Sequence, residues 1–259
     1  MDAHIHWSLE FTGRSTMRLA GKTALVTGGG TGIGAGCALA LAKEGCRVVI
    51  SGRRDDKLKE AAGQFKGQPP MLTYVADVGD RNSATALVEW AQKELGKIDI
   101  LINCAGINTP KRQMSDLDPA DWDMVMNVNA TGAFNVTRAA LPAMRERKDG
   151  LIINISSTSG IRASMLGGVA YSASKFAMAA LGTCVALEEK DRGIRVTNIY
   201  PGEVETPILD KRPVPVSAEH RAKILQPADV GDMVVAIACL PPRAHVAEMI
   251  IKPTTQAHS

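Results

Sequence analysis

A chain of 259 residues, 45% hydrophobic and 22% charged, carries enough apolar material to bury a core without disulfides or metals, which excludes a disordered polypeptide. A net charge of +3, scattered basic pairs, and only four Phe, three Tyr and three Trp exclude a basic, aromatic nucleic-acid groove. Cys37, Cys46, Cys104, Cys184 and Cys239 stand apart with no CxxC or Cys/His cluster, so they read as reduced thiols of a cytoplasmic protein without a metal site.

Residues 1–16 contain Asp2 and Glu10 and lack the apolar stretch of a secretory signal. They read as a flexible extension, with His4 and His6 solvated, ahead of a domain at 17–259. No apolar run reaches the roughly 20 residues of a membrane helix. The first ordered elements are a strand, "KTALVTG" at 22–28, a helix over 32–44 and a strand, "RVVIS" at 47–51, the start of a parallel sheet. Between the first two lies "TGGGTGIG", with glycines at 28, 32 and 34. Glycines there allow positive φ and close backbone approach, and the helix N-terminus offers free N–H groups to a pyrophosphate. A strand before the loop and a helix after it is the context that a dinucleotide fingerprint requires. The second strand runs into Ser51, Gly52, Arg53 and Arg54. Further strands follow as "MLTYVAD" (71–77), "IDILINCAG" (98–106) and "GLIINISS" (150–157), the last ending in Ser156 and Ser157. In "YSASK" (171–175), Tyr171 and Lys175 would share one face of a helix, a pattern that an ordinary amphipathic helix also gives. "IRVTNIYPG" (194–202) and "EMIIKP" (248–253) complete seven strands with helices between them. Right-handed connections then predict a doubly wound, three-layer α/β architecture. Residues 203–226, with prolines at 207, 213 and 215, have the length and composition of a substrate lid.

The GxxxGxG spacing, "NCAG" at 103–106 and YxxxK at 171–175 together resemble the short-chain dehydrogenases and reductases, over about residues 22–256. The resemblance implies a single doubly wound Rossmann domain, a seven-stranded parallel sheet with helices on both faces. It implies cofactor contacts from Gly28, Thr31, Gly32, Ile33 and Gly34 in the loop, and from Asp77 and Val78, with Asp77 accepting from the adenine amino group. Asn103, Ala105 and Gly106 would lie beside the adenosine ribose. Cys104 stands where the family usually has a second Asn and is read as a buried small side chain without chemistry. NAD binding calls for an acidic residue at the end of the second strand. Arg53 and Arg54 stand there instead, and a guanidinium suits the 2′-phosphate of NADP.

Tyr171 would be the proton donor and acceptor, its pKa of about 10 lowered by Lys175 and an oxidised nicotinamide. By resemblance, Lys175 also holds the nicotinamide ribose, and "NISS" selects Ser157 over Ser156 as the substrate-binding hydroxyl. NxxGxF selects Asn129 over Asn127, within a helix and holding a water that leads to Lys175. Pro201, Gly202, Val204 and Thr206 would meet the carboxamide. The implied function is an NADP-dependent oxidoreductase acting on a carbonyl or secondary alcohol. The tail "PTTQ" resembles members that use short 3-hydroxy acids or act as broad carbonyl reductases. A 3-oxoacyl-[acyl-carrier-protein] reductase is the alternative, although the DGG usual after its last strand is absent here. An NADP-binding regulatory protein without catalysis is the reading from another class. A homodimer or homotetramer is expected, with a small-molecule substrate and neither nucleic acid nor membrane as partner.

Overall fold

In the computed structural model, which describes residues 17–256, the central strands send alternate side chains into two separate cores. Ala24 and Val26 of β1 (Thr23–Thr27) enter one core and Leu25 the other. β2 (Arg47–Gly52) divides Val48 and Ile50 from Val49 in the same way. Strands buried on both faces need continuous apolar runs, which is why these segments read as strands without polar alternation. β3 (Leu72–Val75), β4 (Ile100–Asn103), β5 (Gly150–Ile155), β6 (Ile194–Pro201) and β7 (Glu248–Ile251) complete a parallel sheet of order β3-β2-β1-β4-β5-β6-β7.

Around the sheet lie α1 (Gly32–Lys43), α2 (Asp55–Gly63), α3 (Arg81–Leu95), α4 (Pro119–Met126), α5 (Gly132–Arg147), α6 (Val169–Glu189), α7 (Ala218–Arg221) and α8 (Pro227–Ala238). α1 and α8 cover one face and pack so closely that a Cβ on Gly36 would lie 2.5 Å from the Pro227 carbonyl oxygen. α3, α5 and α6 cover the other, with Leu87, Val136 and Val185 against Leu101, Ile152 and Val196. The expected doubly wound fold is therefore present, with its strand order reversing between β1 and β4. The flexible extension read at 1–16, with His4 and His6, lies outside the described residues.

Two expectations change. The fourth strand stops at Asn103, short of 106, because the Cys104 and Ala105 amides leave the ladder and donate to Thr27 Oγ1 at 3.1 and 3.3 Å. The stretch Val169–Arg192 is long and apolar enough to cross a bilayer, contrary to the sequence reading. Its Ala170, Met178, Ala179 and Val185 are buried within the protein, and it carries the buried Lys175.

Candidate active site

Where β1 and β4 diverge, their carboxyl ends open a cleft of about 470 Å³, the position at which open α/β sheets bind ligands. Gly28 turns the chain with φ +67°, and a Cβ there would sit 2.8 Å from Ala105 Cα. Gly32, at φ +55°, brings the start of α1 against Thr206, whose Cγ2 lies 2.9 Å from a Cβ built on the glycine. Thr31 is the N-cap of α1 yet makes no capping bond. The first-turn amides of α1 therefore retain their capacity for an anion. At the neighbouring end of β2, Arg53 and Arg54 line the cleft with Lys57, one turn into α2. Arg53 Nη1 stands 4.0 Å from Asp77 Oδ2, and Lys57 pairs with Glu60 at 2.7 Å. A glycine cradle, an uncapped helix start and three cations fit a phosphorylated dinucleotide.

Gly28, Thr31, Gly32, Ile33, Gly34, Arg53, Arg54, Asp77, Val78, Ala105, Gly106, Tyr171, Lys175 and Thr206 all line this cleft. Asn103, Pro201, Gly202 and Val204 do not. Asn103 is turned into the sheet, donating from Nδ2 to Thr137 Oγ1 and Asn154 Oδ1, both at 2.9 Å. Gly202 backs onto the C-terminal tail, where a Cβ would meet Gln256 Oε1 at 2.2 Å, and Val204 is buried in a bridge to Leu225.

α6 delivers Tyr171 and Lys175 on one face, with Lys175 Nζ 5.8 Å from the phenol ring centroid. The ammonium donates to the Ile155 carbonyl at 2.8 Å, at the end of β5. Burial lowers its pKa from the usual lysine range to about 8. Burial pushes the Tyr171 phenol up, while hydrogen bonding with the Ser157 hydroxyl pulls it part of the way back; the lowering expected above belongs to the protein loaded with oxidised nicotinamide. Desolvation is the largest cause and outweighs both the Ser157 bond and the nearby Arg112 charge. The Ser157 Oγ also accepts from the Ser159 amide at 3.1 Å. Ser156 lines the cleft, but its hydroxyl donates to the Lys175 carbonyl at 3.0 Å, which leaves Ser157 as the hydroxyl facing Tyr171. Cys104 also lines the cleft, its thiol pushed up to about 12 by burial and so poorly suited to act as a thiolate.

Asn129 is fully buried, and the helix expected around it is a π-helical turn, Asn127–Thr131, joining α4 to α5. Its Oδ1 accepts from the Ile107 amide at 2.8 Å, and its Nδ2 donates to the Ile107 carbonyl and to Ser174 Oγ. Asn129 thus clamps the loop after β4 to α6. Sequence reasoning missed Ser174, whose hydroxyl donates onward to the Tyr171 carbonyl at 2.8 Å. It also missed Lys57, which its spacing of three and four from Arg54 and Arg53 could have revealed.

Residues 203–226 are more ordered than the aperiodic lid expected. They contain the 3₁₀ turn Pro207–Lys211 and α7, and Val204 bridges Leu225 at the base. Glu203 pairs with Arg212 and His220, and Arg221 with Glu205 and Asp210.

The short chain dehydrogenase family matches residues 22–214. A 3-oxoacyl-[acyl-carrier-protein] reductase of Thermotoga maritima is 37% identical over 198 residues, 76% of this chain and 80% of that protein. Among solved structures, a 3-ketoacyl-(acyl-carrier-protein) reductase from Brucella melitensis complexed with NADH matches at TM-score 0.82 and 30% identity, covering 90% of this chain and 98% of that one. A serine dehydrogenase complexed with NADP⁺ matches at TM-score 0.83 and 28% identity, covering 92% and 97%.

Proposed function

The chain belongs to the short-chain dehydrogenase family of oxidoreductases, and on that premise we propose that it moves hydride between NADP and a small ketone or secondary alcohol. One observation carries the reading: a Ser157–Tyr171 pair stands one helical turn from a buried lysine at the edge of a cleft fitted to a dinucleotide. When bound, the nicotinamide supplies or takes up the hydride. Tyr171, held neutral by burial, gives its proton to the carbonyl oxygen during reduction and regains it in oxidation. Ser157 donates to the same oxygen and aligns the phenol. Lys175 holds the nicotinamide ribose, and Asn129 keeps the Ile107 loop against α6 so that these groups share one wall.

Arg53, Arg54 and Lys57 support NADP over NAD, because a 2′-phosphate would meet three cations there. The substrate class is proposed as short hydroxy or oxo acids. The Thermotoga and Brucella proteins favour a second reading, reduction of 3-oxoacyl thioesters. Steady-state rates with 3-hydroxy acids, 3-oxoacyl thioesters, sugars and steroids, each with both nicotinamide cofactors, separate the two. Substantial rates with acids and NADPH support the first reading, and rates confined to thioesters support the second. No turnover with any pair removes both.

A further inference from the structure

Beside the catalytic cleft lies a second cavity of about 510 Å³, walled by the loops that follow β4, β5 and β6. The two adjoin along the same loops: Asn108 and Lys211 line the cleft, while Pro110 and Arg212 line the second cavity. Arg112 in its wall is 7% exposed. It donates to one carbonyl from each loop, those of Thr109 at 2.6 Å, Leu166 at 2.7 Å and Lys211 at 2.7 Å. Those bonds use three of five guanidinium N–H groups, so one N–H on each terminal nitrogen has no protein acceptor among the described residues. Nor does any described carboxylate lie within ion-pair distance of Arg112. Burial and the nearby Arg212 hold its pKa below the usual arginine range.

A buried cation without an anion is costly, and chains rarely retain one without a partner. The local acids are already engaged: Glu203 is shared by Arg212 and His220, and Asp116 accepts from the Gln113 amide at 3.0 Å. The rim is apolar and exposed at Met165 and Val214. We propose that this cavity receives the carboxylate end of the substrate, with Arg112 and Arg212 as its partners, so that the enzyme selects oxo and hydroxy acids over their neutral counterparts. The proposal deepens the oxidoreductase reading and rests on it for the reacting carbon.

The test compares kcat/KM for 3-oxohexanoate and methyl 3-oxohexanoate, with calorimetric binding of hexanoate and hexanamide to the cofactor-loaded protein. About a tenfold or larger preference for the acid is expected in both measurements. It should fall toward unity in Arg112→Gln and in Arg212→Gln. Arg112→Gln also cuts ties among three loops, so Arg212→Gln is measured beside it, with NADPH affinity as the control for folding. Equal use of acid and ester by the parent, or a preference that survives both substitutions, overturns the proposal. Arginine-dependent binding of hexanoate without reduction of either oxo compound would keep the anion pocket and remove the proposed reaction.

Discussion

The two halves of the cleft are built on opposite electrostatic principles. The half at the ends of β1, β2 and β3 presents its charges at the surface: the side chains of Arg53 and Asp77 are 53% and 46% exposed and stand 4.0 Å apart. The half at the ends of β4, β5 and β6 buries its groups, with Lys175 3% exposed and Asn129 wholly enclosed. Exposed charge recognises a ligand weakly and is screened by salt, whereas desolvated groups have displaced pKa values and rigid partners. The proposed function accordingly assigns selection of the cofactor to the first half and proton chemistry to the second.

The largest effect that could break this division comes from the buried half. Tyr171→Phe keeps the ring and removes the transferable proton, so kcat should fall by about 10²- to 10⁴-fold while NADPH affinity changes little. Steady-state kinetics with a cofactor titration checks both expectations.

A second prediction concerns stability. The pKa of Lys175 in the folded protein lies at about 8, below its value in the unfolded chain. Below pH 8 both states carry the charge, and the folded protein bears the full desolvation penalty. Between pH 8 and the ordinary lysine pKa, the unfolded chain binds the proton that the folded chain lacks, so stability rises with pH. Lys175→Met should therefore raise the stability of the cofactor-free protein near pH 7, by on the order of 2–4 kcal/mol, with the gap closing toward pH 10. Thermal unfolding across that range measures it, and a gap that widens with pH would be the wrong sign.

The smallest effect belongs to the exposed half. Arg53→Ala should weaken NADPH binding by about tenfold and leave NADH nearly unchanged, the low end for a charge-assisted bond on an exposed side chain. Raising the salt should shrink the difference between parent and variant. Identical salt dependence in the two proteins would show that Arg53 meets no phosphate.

The strands of the sheet were legible because buried parallel strands must be apolar along their length, whereas their order rests on pairings between distant segments. The glycine loop and the Tyr171–Lys175 spacing were legible because both are local. What sequence could not show depends on contacts between distant segments. The π-helical turn at Asn129 is anchored by Ile107 and Ser174, which lie 22 and 45 positions away. The direction of the Tyr171 shift depends on depth of burial, which neighbours in sequence do not reveal. The ties of residues 203–226 likewise join positions such as Glu205 and Arg221. Pro201, Gly202 and Val204 read as cofactor contacts from their motif, but Gly202 packs against Gln256 and Val204 against Leu225.

The central claim is that one half of the cleft selects the cofactor and the other moves the proton. It is tested most directly by measuring kcat and NADPH affinity for the parent, Tyr171→Phe, Arg53→Ala and the double variant with one ketone. The account predicts that Tyr171→Phe lowers kcat alone, that Arg53→Ala lowers affinity alone, and that the double variant shows both losses undiminished. A Tyr171→Phe protein that turns over at the parental rate, or losses that fail to add in the double variant, would contradict it.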